Sequence, residues 1–220
     1  MKNSIWFSGL LCLVCFSNPQ AALLTFNSTS TTDVEITRDA WLSAIGINAP
    51  SYIIDFESGF QSGENISGIA QIGGLLISDT SSAGEAIVSG GPFGGSSPIG
   101  QLALEQNEQP NLKFDFSASP VDYFGFRDID QAGTSGVVTF ADSSTEAISF
   151  ETTGSAGNSA EFFGIFRNDL PRIISVELNA SGDGSWAVDN LEYGSPVPIP
   201  GAIYLLLSGI AGLLVKNRRG

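Results

Sequence analysis

The 220-residue chain has no histidine and contains two cysteines, Cys12 and Cys15. Both cysteines lie in an apolar run near the N-terminus, so the rest of the chain has neither a thiol nor an imidazole. Catalysis by a Ser-His-Asp or Cys-His arrangement is therefore excluded there, and so is zinc held by His or Cys. A disulfide framework is excluded for the same reason.

Basic residues are also scarce, with nine Lys and Arg against 23 Asp and Glu. All the acidic residues lie between Asp33 and Glu192, where five basic residues leave the stretch a net charge of −18. A domain with this charge repels phosphate backbones, so we expect no nucleic-acid partner. Its acidity suits divalent cations or neutral sugars better, or serves solubility alone.

The N-terminus has the arrangement of an export signal. Lys2 precedes an apolar run over residues 5–16, and small residues follow up to Ala21 and Ala22. A short basic start, an apolar run and a small-residue exit are typical of a secretory signal peptide. We therefore predict a signal peptide over residues 1–22. A transmembrane anchor is the alternative, and the apolar run is short for a span.

The other end of the chain combines three features. Residues 196–201 are a proline-rich connector, residues 202–215 carry no charge, and residues 216–220 include Lys216, Arg218 and Arg219. Helical residues 202–215 cover roughly 21 Å, so spanning a hydrocarbon core of about 30 Å needs help from preceding residues or a thinner bilayer. The pattern predicts a transmembrane helix over residues 202–215 and a cytoplasmic basic stop over residues 216–220.

This tail, V-P-I-P-G followed by the apolar run and K-N-R-R-G, resembles the tails of the PEP-CTERM family of exosortase-sorted proteins. The resemblance implies transient anchoring in the inner membrane and cleavage by an exosortase-type membrane protease. Delivery to the cell surface or the extracellular space would follow, and a permanent C-terminal anchor is the alternative. The sorting motif comprises Val197, Pro198, Ile199, Pro200 and Gly201, with Ile199 where the eponymous motif has glutamate.

Between the two ends, the first regular element is a helix in a segment that covers residues 23–50. Helical periodicity runs over residues 32–45, with a capping box at residues 32–35 and Gly46 as the stop. A start at Thr37 is the alternative. The apolar residues that this period places on one face are Ile36, Ala40, Trp41, Ala44 and Ile45.

After Pro50 the pattern changes to short alternating runs that Gly, Asn, Asp and Ser interrupt. Such runs are typical of an all-β sandwich or jelly roll and argue against a parallel α/β sheet. We predict a jelly-roll β-sandwich over residues 51–195. The predicted strands cover residues 52–56, 74–78, 86–88, 102–104, 111–116, 123–127, 136–140, 146–151, 162–166, 173–179 and 186–193.

Short motifs mark the two limits and the middle of this region. Ile54-Asp55-Phe56-Glu57 opens it, Ala187-Val188-Asp189-Asn190-Leu191 closes it, and Phe124-Gly125-Phe126 lies between them. The opening and closing motifs resemble the start and the finish of jelly-roll domains of the MAM and carbohydrate-binding-module type.

A calcium site is part of what this resemblance implies. In those jelly rolls the ion sits where the first and last strands meet, which implies Glu57 and Asp189 as ligands here and Asp55 as a weaker one. Carboxylates are suitable, because Ca²⁺ takes six to eight oxygen ligands. Alternation along the strand predicts that Asp55 and Glu57 share one face while Phe56 points into the core. The alternative is that these acids end strands in solvent or make buried hydrogen bonds.

The residues that remain give little support to catalysis. Asp128 and Asp130 share one face of a strand, but no array of acids typical of jelly-roll glycanases accompanies them. We therefore expect a structural or interaction protein of the cell surface or extracellular matrix, with no catalytic residue. The alternatives are a carbohydrate-binding module for exopolysaccharide, with Trp186 as a possible sugar contact, and a carboxylate-based hydrolase.

Overall fold

The computed structural model describes residues 22–28, 33–80, 86–90, 103–106, 111–129, 134–150, 160–167, 169–180 and 186–196. These residues form the helix α1 at Val34–Ile45, a 3₁₀ turn at Ile72–Gly74 and thirteen strands. The strands β1 to β13 are, in chain order, Leu24–Asn27, Tyr52–Ile54, Glu64–Asn65, Leu76–Asp79, Ile87–Ser89, Ala103–Gln106, Asn111–Asp115, Tyr123–Ile129, Thr134–Phe140, Thr145–Phe150, Ala160–Phe166, Ile173–Ala180 and Trp186–Gly194.

The strands form two antiparallel sheets. The larger sheet has the order β1-β11-β8-β13-β6-β5-β3, with β2 also paired to β13, and the smaller sheet has the order β10-β9-β12-β7-β4. The chain repeatedly crosses between the sheets, as it does from β11 to β12 and from β12 to β13. This arrangement confirms the predicted all-β sandwich with one short helix near its N-terminal side.

Aromatic rings fill the space between the two sheets. The ring centroids of Phe114 in β7 and Phe124 in β8 lie 4.9 Å apart, and those of Phe150 in β10 and Phe163 in β11 lie 4.5 Å apart. All four side chains are buried. Each pair joins one sheet to the other, so aromatic burial stabilises the sandwich directly.

The predicted strands all have a counterpart in the structure, and two further strands were missed. Successive side chains of a strand point to opposite faces, so apolar and polar residues alternate along it. The strand predictions hold for this reason. The missed strands are β1, which pairs with β11, and the two-residue β3, which pairs with β5. The two-residue β3 is too short to carry a periodic signal, whereas the four residues of β1 do alternate between apolar and polar and lie in the segment before the predicted helix.

The helix α1 begins later than the capping-box prediction placed it. Asp33 is its N-cap and makes no side-chain capping hydrogen bond, and Thr32 lies outside the described residues. Its end is as predicted, because Gly46 adopts a left-handed conformation with φ of 81° and its N–H donates to the carbonyl of Leu42.

The predicted buried face of α1 was right for Trp41 and Ile45 and wrong for Ile36, Ala40 and Ala44. Ile36 is 70% exposed, and Ala40 and Ala44 are exposed as well. The helix instead buries the stripe whose side chains are larger, since this rotation removes more apolar surface from water. That stripe comprises Val34, Trp41, Leu42 and Ile45.

Trp41 attaches α1 to the outer face of the larger sheet. Its ring is fully buried and its Nε1–H donates to the backbone carbonyl of Ile165 at 3.2 Å. Its ring centroid lies 5.5 Å from that of Tyr123 and 5.2 Å from that of Phe162. The tryptophan therefore joins the helix to two strands, β8 and β11, at once.

Two glycines make room for this ring. Gly125 of β8 and Gly164 of β11 are opposite each other in the strand register. A Cβ atom on Gly164 would lie 2.8 Å from the ring of Trp41, and one on Gly125 would lie 3.0 Å from it. The ring thus lies directly on the sheet backbone, and the Phe124-Gly125-Phe126 motif serves packing on both faces.

We expect Gly164→Ala to lower the free energy of unfolding by about 1–3 kcal/mol, because the added methyl group must displace the ring of Trp41. Chemical denaturation of the purified protein measures this loss. In a Trp41→Leu background the same substitution should cost less, since the obstructing ring is gone. An equal cost in both backgrounds would contradict the packing described above.

Within the part of the chain that the structure describes, no helix combines the length and the apolar character needed to cross a bilayer. Residues 1–21 and 197–220 lie outside that part. They contain the apolar run of the predicted signal peptide, the sorting motif, the predicted span and the basic stop. These features stay predictions from the sequence.

Candidate functional site

The fold brings the opening and closing motifs of the β region together. The strand β2 pairs antiparallel with β13, with Ile54 opposite Leu191 and Tyr52 opposite Tyr193. Asp55 follows Ile54 directly and Asp189 lies two residues before Leu191, so both acids lie at the same end of this strand pair. This is the place at which calcium was predicted to bind.

Asp55 belongs to a turn and not to the strand that was predicted to contain it. Its Oδ1 accepts hydrogen bonds from the N–H groups of Glu57 and Ser58, at 3.1 and 3.4 Å. Phe56 is fully buried, as expected, but its φ of 56° is left-handed and ends the alternation of β2 after Ile54. The prediction that Asp55 and Glu57 share a strand face was therefore wrong.

Asp189 lies in a different environment from these two exposed acids. It is buried, and its Oδ1 accepts a hydrogen bond from the N–H of Asn190 at 2.7 Å. The register of β13 against β8 shifts between Asp189 and Glu192, and Asn190 has a φ of 47°. This irregularity is a bulge, which redirects the chain where the predicted ligands meet.

Calcium binding stays a prediction. Among the described residues, no group of three or more His, Cys, Asp or Glu side chains has an arrangement that could hold a metal ion. An ion at Asp55, Glu57 and Asp189 would need further oxygens from backbone carbonyls or water, both of which Ca²⁺ accepts.

Charged residues between α1 and the larger sheet lie beside this strand pair. The Nε of Arg38 donates to the Oε1 of Glu192 at 2.5 Å, and Arg127 forms an ion pair with Glu35. Burial raises the pKa of the Glu192 carboxyl above its usual value, against the opposing effect of Arg38 and Arg127. These pairs attach the helix to β8 and β13, so this face of the sheet is occupied.

The outer face of the smaller sheet is open by comparison. The helix α1 packs against β11 and β1 of the larger sheet, and no described helix packs against the smaller one. Alternate residues of its strands point outward and form three rows, of which all but the buried Ser175 are at least partly exposed. From β10 across to β4, the rows are Thr145, Thr139, Ser175, Asp115 and Leu76; then Ala147, Val137, Glu177, Lys113 and Ser78; then Ser149, Ser135, Asn179, Asn111 and Thr80.

Short hydroxyl and amide side chains dominate this open face, and none of the residues in its three rows is aromatic. Thr80 Oγ1 donates to Glu177 Oε1 at 3.1 Å, and Lys113 Nζ lies 3.4 Å from Asp115 Oδ2. The charges of the face are thus partly satisfied within it. What the face offers a ligand is an array of hydrogen-bond donors and acceptors.

The tryptophans do not supply a sugar platform among the described side chains. Trp41 is buried beneath α1, as its packing in the helix face had suggested. Trp186 begins β13 opposite Gln106, and its side chain lies outside the described residues. Its contact with sugar therefore stays a prediction. The side chains of Asp128 and Asp130, the two acids considered for a carboxylate-based hydrolase, also lie outside the described residues.

Sequence reasoning missed the open face, although all five of its strands were predicted. Alternation shows that a strand has two different faces, but it does not show which face another element covers. The mixture of Ser, Thr, Asn, Ala and Val at outward positions was the available signal.

No protein-family model and no curated protein matches this chain. Similar solved structures include the enzymatically active domain of tailspike protein 4 from bacteriophage CBA120, at 17% identity and a TM-score of 0.38. The match covers 60% of this chain and 21% of the tailspike chain, so it spans about a fifth of that protein's length.

Other similar structures are carbohydrate-binding modules. The CBM22-1 xylan-binding domain of Xyn10C from Paenibacillus barcinonensis is 8% identical with a TM-score of 0.37, and the match covers 62% of this chain and 99% of that one. TmCBM61, solved with β-1,4-galactotriose, is 13% identical with a TM-score of 0.32, over 60% and 97% of the two chains. At these low scores, the assignment of the sandwich fold rests on the strand pairings of this chain.

We expect Ca²⁺ at millimolar concentration to release or absorb heat on titration and to raise the melting temperature, because a ligand of the native state alone stabilises it. Calorimetric titration and thermal melting of the purified protein measure both effects. Asp189→Asn should remove them, whereas Asp142→Asn in the β9–β10 turn should not. Absence of heat and of any melting shift with the unsubstituted protein would rule out the predicted calcium site.

Proposed function

We propose that this chain is an exported structural or interaction protein of the bacterial cell surface or extracellular matrix. In this proposal the signal peptide over residues 1–22 directs export, and the tail over residues 196–220 holds the protein transiently in the inner membrane. An exosortase-type protease then cleaves near the proline motif. The support is the three-part tail, whose proline connector, short apolar run and basic stop occur in that order.

The sandwich domain, in this proposal, binds a partner and catalyses no reaction. The chain after residue 22 lacks histidine and cysteine, which removes the commonest nucleophile and base pairs. The observation that favours binding is the open face of the smaller sheet, with its rows of hydroxyl and amide side chains. A rigid sheet is a suitable base for such a surface, because backbone pairing fixes the spacing of the contacts.

Neutral polysaccharide is the ligand class that we assign to this face. The stretch from Asp33 to Glu192 carries a net charge of −18, which disfavours anionic polymers. Sugar hydroxyls both donate and accept hydrogen bonds, as do the Ser, Thr and Asn side chains of the face. Each such bond adds little, so binding would depend on many contacts along an extended polymer.

A carbohydrate-binding module that uses Trp186 is the second candidate. Tryptophan supplies a large apolar surface with a polar N–H, which suits stacking on a sugar ring. This candidate places the ligand at the beginning of β13 on the larger sheet, away from the open face. The two candidates therefore predict different sensitive residues.

We expect Val137→Arg to weaken binding to a neutral glycan by about tenfold, equivalent to ~1.4 kcal/mol, because a long charged side chain would rise from the middle of the open face. Val137 is 38% exposed, so the fold should tolerate the change. A glycan array with the purified protein provides the measurement. Ile53→Arg, at an exposed strand position of the larger sheet, is the matched control.

The same array separates the candidates. Loss of binding with Trp186→Ala, but not with Val137→Arg, would favour the module that uses the tryptophan. If no glycan binds, polysaccharide recognition is wrong, whereas the proposed export and sorting remain testable on their own.

We expect the protein recovered from culture to lack residues 1–22 and everything beyond the proline motif at residues 197–201. Intact-mass measurement reports both cleavage points at once. Replacing both prolines, by Pro198→Ala and Pro200→Ala, should leave the tail attached if the motif directs cleavage. A recovered mass that still includes residues 202–215 in the unsubstituted protein would indicate a permanent anchor.

A further inference from the structure

Both ends of the described domain leave the sandwich at the same place. Leu24 at the start of β1 is opposite Phe166, Phe166 is opposite Tyr123, and Tyr123 is opposite Gly194 at the end of β13. These four residues define what we call the terminal end of the sandwich. The predicted signal peptide therefore precedes the domain at this end, and the predicted sorting tail follows it there.

Exposed aliphatic side chains lie at the terminal end. The carbonyl of Ile72 accepts a hydrogen bond from the hydroxyl of Tyr193, the residue before Gly194, and the Ile72 side chain is 57% exposed. Leu24, which helps to define this end, is also exposed. The tip of the hairpin around the 3₁₀ turn thus reaches the place where the chain leaves the domain.

A second loop brings another exposed aliphatic residue to the same place. Arg172 forms a bidentate ion pair with Asp122, at 2.9 and 3.0 Å, and the N–H of Asp122 donates to the carbonyl of Gly194 at 2.8 Å. Leu170, two residues before Arg172, has 80% of its surface exposed. This loop and the Ile72 hairpin therefore flank the exit of the chain.

The distribution of such residues is uneven over the described surface. Two of the eight exposed large apolar side chains, Ile36 and Val137, lie singly on different faces of the domain, and Ile53 lies on β2 beside the terminal end, opposite Glu192. Single exposed apolar residues are normal, whereas a concentration of them indicates a contact surface. The other five lie at the terminal end or on its hairpin: Leu24, Ile69, Ile72, Leu76 and Leu170.

The length of the connector limits what can face this end. Residues 195–201 follow the domain and precede the uncharged run over residues 202–215. An extended proline-rich segment advances about 3.1 Å per residue, so this connector reaches roughly 20 Å. If the apolar run lies in a bilayer, the terminal end is held close to the surface of that bilayer.

We propose that the terminal end rests on the lipid surface of the membrane that holds the tail, with Ile72 and Leu170 inserted among the lipid headgroups. The proposal rests on the membrane insertion assumed in the proposed function, and it adds the orientation of the domain. Contact through aliphatic side chains requires no anionic lipid, which agrees with the acidity of the domain. The open face of the smaller sheet then stands beside the membrane and stays accessible to polymer.

The test uses the full chain, with Cys12→Ser and Cys15→Ser, reconstituted in phosphatidylcholine vesicles that contain a headgroup-labelled nitroxide lipid. A fluorophore is attached through Ile72→Cys or Leu170→Cys, and through Ile36→Cys or Ser149→Cys as exposed controls away from the terminal end. Melting temperatures verify that each labelled protein is folded. We expect quenching at positions 72 and 170 to exceed that at positions 36 and 149 at least about threefold.

Equal quenching at all four positions, or none at positions 72 and 170, would overturn the orientation. Concentration-dependent dimerisation that shields positions 72 and 170 from lipid would overturn it in favour of a second copy of the chain. Protein that fails to float with the vesicles would overturn both this inference and the membrane step of the proposed function. Protein that floats but is unquenched at positions 72 and 170 overturns the orientation alone.

Discussion

The indole ring of Trp41 lies directly on the backbone of Gly125 and Gly164, and the layered structure depends on this contact. It allows α1 to approach the larger sheet closely enough for Tyr123 and Phe162 to be buried on that side. The same strands bury Phe124 and Phe163 on their other side, against the smaller sheet. The larger sheet is therefore apolar on both faces, and it becomes the central layer between the helix and the smaller sheet.

This layering determines where a ligand can bind. The outer face of the larger sheet is closed by α1 and by the ion pairs of Arg38 with Glu192 and of Arg127 with Glu35. The Glu192 carboxyl is buried, and its ion pair with Arg38 links β13 to the helix. The smaller sheet has no comparable cover among the described residues, so its short polar side chains remain available on a rigid support.

The antiparallel register also determines where the predicted signal peptide and the predicted sorting tail join the domain. The directions of the first and last strands decide whether the two chain ends emerge at one end of a sandwich or at opposite ends. Here β1 begins and β13 finishes at the same end, and exposed aliphatic residues gather beside that exit. The topology thus places both predicted targeting segments at one end of the domain, and the proposed orientation of the open face follows from that placement.

Local pattern was sufficient for the elements of this protein that depend on neighbours in sequence. The eleven predicted strands followed from period-two alternation, and the end of α1 followed from Gly46, because each is governed by nearby backbone geometry. The predicted signal peptide and the predicted sorting tail are also properties of short segments, and they remain predictions from the sequence. The absence of histidine from the sequence excluded catalysis by Ser-His-Asp or Cys-His arrangements before any fold was known.

Tertiary packing alone decided the buried stripe of α1, the position of Asp55 and the choice of the covered sheet faces. Which stripe of α1 is buried depended on Trp41 finding two glycines from distant strands, and no helical period contains that information. Phe56 entered the core as expected, but its left-handed backbone moved Asp55 out of the strand and into a turn. Alternation marks two faces on every strand, whereas only the completed sandwich determines which of them another layer covers and which one remains exposed to a ligand.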